Sequence, residues 1–297
     1  MFCDDAAVSE PAGDVPEAAP EWAAEGGVTS RTPHPRTRAS LATDLRGLGL
    51  QAGSTALVHA SLSSLGWVAG REVAVVQALL DVLGPGGTLV VPTQTGANSD
   101  PADWGRPPVP EAWWPVIRAE SPAYEAGMTP SRGMGAVAEL VRTWPGARRS
   151  AHPQTSFAAV GARAAEVTAV HELENSLGER SPLATLERLG ASVLLVGTDW
   201  STCTALHLAE YRAPDAAPSR SGCALLDSDG RRQWVEYEDI ELDAEVFDDL
   251  GADLERERPD LVVTGTVGSA GCRLFALADA VDYAVGWLTA RRAAADA

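Results

Sequence analysis

Along the chain, stretches with helical spacing alternate with short apolar runs. In "TRASLATDLRGLGL" the apolar Leu41, Leu45 and Leu48 recur at helical intervals, and Gly49 stands where a helix would stop. "STALVHASLSSLGWVAG" then opens with an apolar run over Ala56 to Val58, short enough for a buried strand, and continues into a loop of small residues. "EVAVVQALLDVLGPGG" reads as a glycine-stopped helix and "TLVVPT" as a second buried strand. Strand, loop, helix and strand in this order predict a parallel βαβ unit.

The pattern repeats further on. "GMGAVAELVRTWPG" predicts a helix, "TSFAAVG" a strand, and "SPLATLERLGASVLLVGTD" a helix, a glycine stop and a strongly apolar strand. "CALLDSDGRRQWVEYEDIEL" predicts a hairpin turning at Asp229-Gly230. "RLFALADAVDYAVGWLTARR" reads as a closing helix. The Pro-, Gly- and Trp-rich middle, "NSDPADWGRPPVPEAWWPVIRAESPAYEAGMTPSRGMG", is a long loop of the kind that carries function in compact domains. Residues 1–35 lack a sustained apolar period and read as a disordered acidic leader. Residues 36–297 read as one α/β domain with an antiparallel excursion.

Composition narrows the function classes. Lys and Arg number 23 against 41 Asp and Glu, a net charge of -18. That field opposes nucleic acid and anionic lipid and favours a polycationic small molecule, although solubility alone also accounts for it. No apolar run reaches membrane-span length and no secretion signal opens the chain. The four cysteines, Cys3, Cys203, Cys223 and Cys272, lack metal spacing and read as free thiols of a cytoplasmic protein.

Five segments carry candidate chemistry. "VHASLSSLGW" follows a strand with small hydroxyl residues and Gly66; it suits an anionic or amide-bearing ligand, or is an ordinary serine-rich turn. In "GMTPSRGMG", Arg132 between glycines suits a phosphate, or Ser131 caps the next helix. His152 in "RRSAHPQTSF" lines a pocket or satisfies a local hydrogen bond. In "TALHLAEYR", Thr204, His207 and Glu210 are spaced by three and share a helical face, at the carboxyl end of a strand. A histidine held by a carboxylate keeps one tautomer and serves as a general base near neutral pH. The alternative there is a structural histidine among the leucines. "VEYEDIELDAE" gathers Glu236, Glu238, Asp239, Glu241, Asp243 and Glu245, a solvated face unless several turn into one cleft, where Asp100 could join them.

Six segments in order, "LVHASLSSLGWVAG", "GPGGTLVVPTQTG", "MTPSRGMG", "SAHPQTSFAAVG", "LGERSPLATLERLGASVLLVG" and "TALHLAEYRA", resemble the aminoglycoside N(3)-acetyltransferase family over about residues 37–290. The resemblance implies a central mixed β-sheet flanked by helices, an α/β fold distinct from the common small acetyltransferase (GNAT) fold. It implies transfer of acetyl from acetyl-CoA, without a metal, to the 3-amino group of a 2-deoxystreptamine ring, and hence antibiotic resistance. By resemblance, His207 is the catalytic histidine, Glu210 its acidic neighbour and Thr204 a hydroxyl beside the site. His59, Ser61, Leu62, Ser64, Leu65 and Gly66 belong to the coenzyme A loop, with Arg132 near the coenzyme. Asp100, Asp239 and Glu241 are the carboxylates expected to hold the antibiotic's ammonium groups. Cys203, and "TDWST" in place of a glycine-rich turn, depart from the family pattern and bear on the substrate. A different amine acted on by the same fold, and a non-catalytic binder of a cationic ligand, stay open, as does a homodimer.

Overall fold

The computed structural model describes residues 27–105 and 107–295. The first regular helix, α1 (Arg38–Leu48), begins at Thr37, whose side chain accepts from the Ser40 N–H in a capping box. It ends at Gly49, left-handed at φ 111°, and buries Leu41, Leu45 and Leu48 on one face. β1 (Thr55–Ala60) leads through a 3-10 turn (Leu62–Leu65) to α2 (Arg71–Leu83) and then β2 (Thr88–Pro92). β1 and β2 pair in parallel, Thr55 opposite Thr88, so the predicted βαβ unit is present.

The Trp-rich segment holds α3 (Trp114–Glu120) and leads to α4 (Gly135–Arg142). After it come β3 (Arg148–Arg149), β4 (Phe157–Gly161), α5 (Ala164–Val167), α6 (Pro182–Arg188) and β5 (Ser192–Val196). α7 (His207–Arg212) precedes a hairpin of β6 (Pro218–Leu226) and β7 (Arg232–Ile240), whose Gly230 lies at φ 75° in the expected turn. α8 (Phe247–Glu257), β8 (Val262–Val267), β9 (Ala270–Ala276) and α9 (Leu277–Ala295) complete the described chain.

Seven strands form one mixed sheet in the order β3-β4-β2-β1-β5-β9-β8, and β6 and β7 form a separate ribbon. The central three are parallel and both flanks antiparallel. Alternation sends Ala56 and Val58 of β1 to the face covered by α1, α2 and α4. Leu57 points to the opposite face, with residues of α6, α7, α8 and α9. Burial on both faces explains why these strands read as continuous apolar runs. β1 continues to β2 on one side and is flanked by β5 on the other. This is the kind of switch point at which open α/β sheets place ligands, beyond the carboxyl ends of the strands.

Two expectations need correction. Residues 273–276 of the expected closing helix lie in β9, which pairs with both β5 and β8, and the helix starts at Leu277. A buried sheet position outweighs the helical spacing that continues from that run. Of the expected leader, residues 1–26 lie outside the described residues. Residues 27–31 are helical, and Thr32 Oγ1 accepts from the Trp67 N–H at 2.9 Å, so the folded chain extends further toward the amino terminus than residue 36. Among the described residues no helix is long and apolar enough to cross a membrane.

Candidate active site

β5 ends at Val196, and the chain then turns through Gly197 into two 3-10 turns, Trp200–Thr202 and Thr204–Leu206, before α7. Leu206 and Leu208 are fully buried in the core on the Leu57 face of the sheet, which fixes the helix, and His207 between them lines a cleft of ≈ 530 Å³. His207 Nδ1 lies 2.5 Å from Glu210 Oε2. A carboxylate can only accept there, so Nδ1–H donates, and in the neutral ring Nε2 is then the nitrogen with the free lone pair. Glu210 is buried, and its other oxygen accepts the Asp243 backbone N–H at 2.8 Å, so both carboxylate oxygens are held. Phe247 packs on the imidazole with ring centroids 4.8 Å apart. Together these contacts fix tautomer and ring orientation, which a general base requires. Thr204 is buried and lines the same cleft.

The end of β1 lines the same cleft. His59 and Ser61 line the cleft with Gln94, Met134, Thr198, Ser201 and Thr202. A second cleft of ≈ 600 Å³ shares Ala60, Ser61 and Gly135 with the first and runs outward past Leu62, Ser63, Gly66, Trp67 and Arg71. Gly66, at φ 85°, has room for no side chain: a Cβ there would come within 2.9 Å of both Thr32 Oγ1 and Ser269 Oγ. Burial holds His59 well below the usual histidine range, at about 4, and proximity to His207 adds to the effect.

The expected residues therefore divide. His207, Glu210, Thr204, His59, Ser61, Leu62 and Gly66 gather around the two clefts. Leu65 is core, and Ser64 turns its hydroxyl onto Ser61 O at 2.7 Å, because the 3-10 turn points these two inward and away from the cleft. Arg132 is exposed; its backbone N–H bonds Gln94 O at 2.9 Å while the neighbouring glycines and Met134 face the cleft. Ser131 does not cap α4, since its hydroxyl donates to Glu139 at 2.6 Å.

The acidic positions lie among protein partners. Asp100 caps a 3-10 turn through the Ala102 N–H and pairs with Arg118 at 2.7 Å. Asp239 accepts from Ser176 N and Oγ at 3.0 and 2.5 Å and from Tyr211 O–H at 2.7 Å, tying the β-ribbon to α7. Both carboxylates are satisfied by protein donors. Glu241 is exposed just after β7 and donates its backbone N–H to Ala217 O.

His152 is fully buried and accepts two backbone N–H groups, from Gln154 and Thr155, on Nδ1; it takes the structural reading. Thr198, Ser201, Thr202 and Gln94 were missed as cleft residues. Their signal was only their position just beyond the ends of β5 and β2.

Comparison with known proteins shows which family the chain resembles. A family model described as aminoglycoside 3-N-acetyltransferase matches residues 57–289. The SPbeta prophage-derived aminoglycoside N(3')-acetyltransferase-like protein YokD of Bacillus subtilis (strain 168) is 47% identical over 261 residues, 88% of this chain and 95% of that protein. Aminoglycoside N(3)-acetyltransferase VII of Streptomyces paromomycinus is 37% identical over 279 residues, 87% of this chain and 93% of that one. Among solved structures, AAC-IIIb in a binary complex with CoASH superposes with a TM-score of 0.78 at 31% identity, covering 87% of this chain and 98% of that one. AAC-VIa bound to sisomicin gives 0.76 at 32%, covering 87% and 99%.

Proposed function

This chain belongs to the aminoglycoside 3-N-acetyltransferase family, a family of acyltransferases, and on that premise we propose that it moves the acetyl group of acetyl-CoA onto the 3-amino group of a 2-deoxystreptamine aminoglycoside. The observation that carries the reading is the His207–Glu210 pair, 2.5 Å apart, at one end of a cleft whose wall is continuous with a second cleft on the Ser61–Gly66 loop. Acetyl-CoA is a co-substrate here. Its long arm would lie along the outer cleft, with the thioester beside His207. A related protein bound to CoASH and another bound to sisomicin support the two substrate classes.

The acceptor binds as the free amine, its ammonium proton having gone to solvent; in the proposed step His207 Nε2 takes a second proton from that nitrogen as it attacks, and Glu210 stabilises the imidazolium that results. The amine nitrogen attacks the thioester carbon directly. Collapse of the tetrahedral intermediate forms the amide, breaks the carbon–sulfur bond and releases coenzyme A, whose sulfur takes the proton from His207. The product amide carries no charge where the antibiotic carried an ammonium, which would confer resistance. The net charge of -18 supports steering of a polycation.

A second reading, a different and less highly charged amine, is favoured by one observation: Asp100 and Asp239 are already bonded to Arg118, Ser176 and Tyr211. Incubation with acetyl-CoA and an aminoglycoside, followed by mass spectrometry, tests the proposal. One added acetyl on the deoxystreptamine ring is expected. No modified aminoglycoside, with coenzyme A still bound, selects the second reading.

A further inference from the structure

Two residues that line the inner cleft each hold a buried polar atom with no hydrogen-bond partner among the described residues: Nε2 of His59 and Oγ1 of Thr198. Such atoms are costly unless a ligand satisfies them. Their placement is informative. His59 is the penultimate residue of β1, and Thr198 lies two residues beyond the end of β5. The strands are adjacent and parallel, with His59 opposite Leu195. Both side chains line the cleft into which His207 also opens. The cleft lining thus combines a base with two residues that carry unsatisfied polar atoms.

We infer that the Nε2–H of His59 and the hydroxyl of Thr198 are the donors that receive the thioester carbonyl oxygen as it becomes an oxyanion. This assigns the β1–β5 strand ends a catalytic part in the proposed acyl transfer, and it rests on that reading. When the amine attacks, the carbonyl π pair moves onto oxygen, and two fixed donors stabilise the charge at its site of formation. The same pair returns to re-form the carbonyl as the carbon–sulfur bond breaks, so neither donor gives up its proton. Burial keeps the His59 imidazole neutral. A neutral donor suits a cleft that must admit an ammonium-bearing acceptor beside a base that itself becomes charged.

The test uses acetyl-CoA labelled with ¹³C at the carbonyl and needs no acceptor. Infrared difference spectra of the bound thioester should show its carbonyl stretch moved to lower frequency in the native protein. The shift should shrink in Thr198→Val and in His59→Gln. With an accepted amine, each variant should lose roughly 10²–10³-fold in kcat, as expected for one oxyanion donor. In Thr198→Val coenzyme A affinity by calorimetry should change little and Tm should not fall, since the hydroxyl removed has no partner among the described residues. An unshifted carbonyl in the native complex overturns the inference while leaving acyl transfer intact, as does an undiminished shift in Thr198→Val. Failure of acetyl-CoA to bind at all overturns the acyl-transfer reading, and the inference with it. Thr198→Val keeps the test decisive should His59→Gln fold poorly.

Discussion

Glu210→Gln preserves side-chain volume at a buried position and alters only what that position can accept. Two donors converge there, His207 Nδ1–H at 2.5 Å and the Asp243 N–H at 2.8 Å. A carboxylate serves both, whereas an amide has a single acceptor oxygen. If that oxygen serves Asp243, the NH₂ faces His207, Nδ1 must accept, and the ring proton moves to Nε2. The base then has no lone pair in the cleft. If the oxygen serves His207, the NH₂ opposes the Asp243 N–H, at a cost of about 1–3 kcal/mol. The first arrangement avoids that clash and should prevail. Loss of a general base costs at least about 10² in rate, and a wrong tautomer in a comparable acid–histidine pair costs up to about 10⁴. At 1.36 kcal/mol per decade this raises the barrier by roughly 3–5 kcal/mol. Steady-state thiol release, with coenzyme A affinity measured in parallel, reads the effect: kcat should collapse while affinity holds. An unchanged kcat in Glu210→Gln would refute the orienting role.

Other consequences follow from particular contacts. Burial holds His59, His152 and His171 at about 4, about 4 and about 3. The unfolded chain binds these protons near 6.5, so below that pH unfolding takes protons up and stability falls with acid, by about 2 kcal/mol per histidine at pH 5. Thermal melts from pH 7 to pH 5 should therefore show a falling Tm, and a flat profile would contradict the burial of these rings. In Gly197→Ala the new Cβ, on a residue at φ 60°, would stand 1.8 Å from Ser64 Oγ. The Ser61–Leu65 turn must move, so coenzyme A affinity by calorimetry and Tm should both drop; native affinity would show that the turn does not shape the outer cleft. Asp239→Asn leaves the three donors from Ser176 and Tyr211 with one acceptor oxygen, and should lower stability by about 1–3 kcal/mol in denaturant melts with little change in acceptor KM. A raised KM for a polycationic acceptor with unchanged stability would instead make Asp239 a substrate anchor.

Short-range relations in this chain were legible from sequence, and long-range pairing was not. His207 and Glu210 are three apart on one short helix, so their contact follows from helical geometry alone. The Ser61–Gly66 loop was recognisable because it follows a buried strand. The roles of Asp100 and Asp239 depended on Arg118, Ser176 and Tyr211, at sequence separations of 18, 63 and 28, which no local pattern reveals. The β8–β9 hairpin did carry a signal, a Gly268-Ser269 pair between apolar runs. The weak alternation of "LVVTGTVGSAGC" and the helical run that follows masked it. His59 was singled out for its loop. The lack of any partner for its Nε2 became visible only when β1 and β5 were paired.

The measurement to make is thiol release from acetyl-CoA across a panel of 2-deoxystreptamine aminoglycosides, for the native protein and for His207→Ala. The expected result is release with one or more of them in the native protein and its loss in the variant, with coenzyme A bound equally by both. Full turnover by His207→Ala at saturating substrates would contradict the assignment of the base and, with it, the mechanism built on the His207–Glu210 pair.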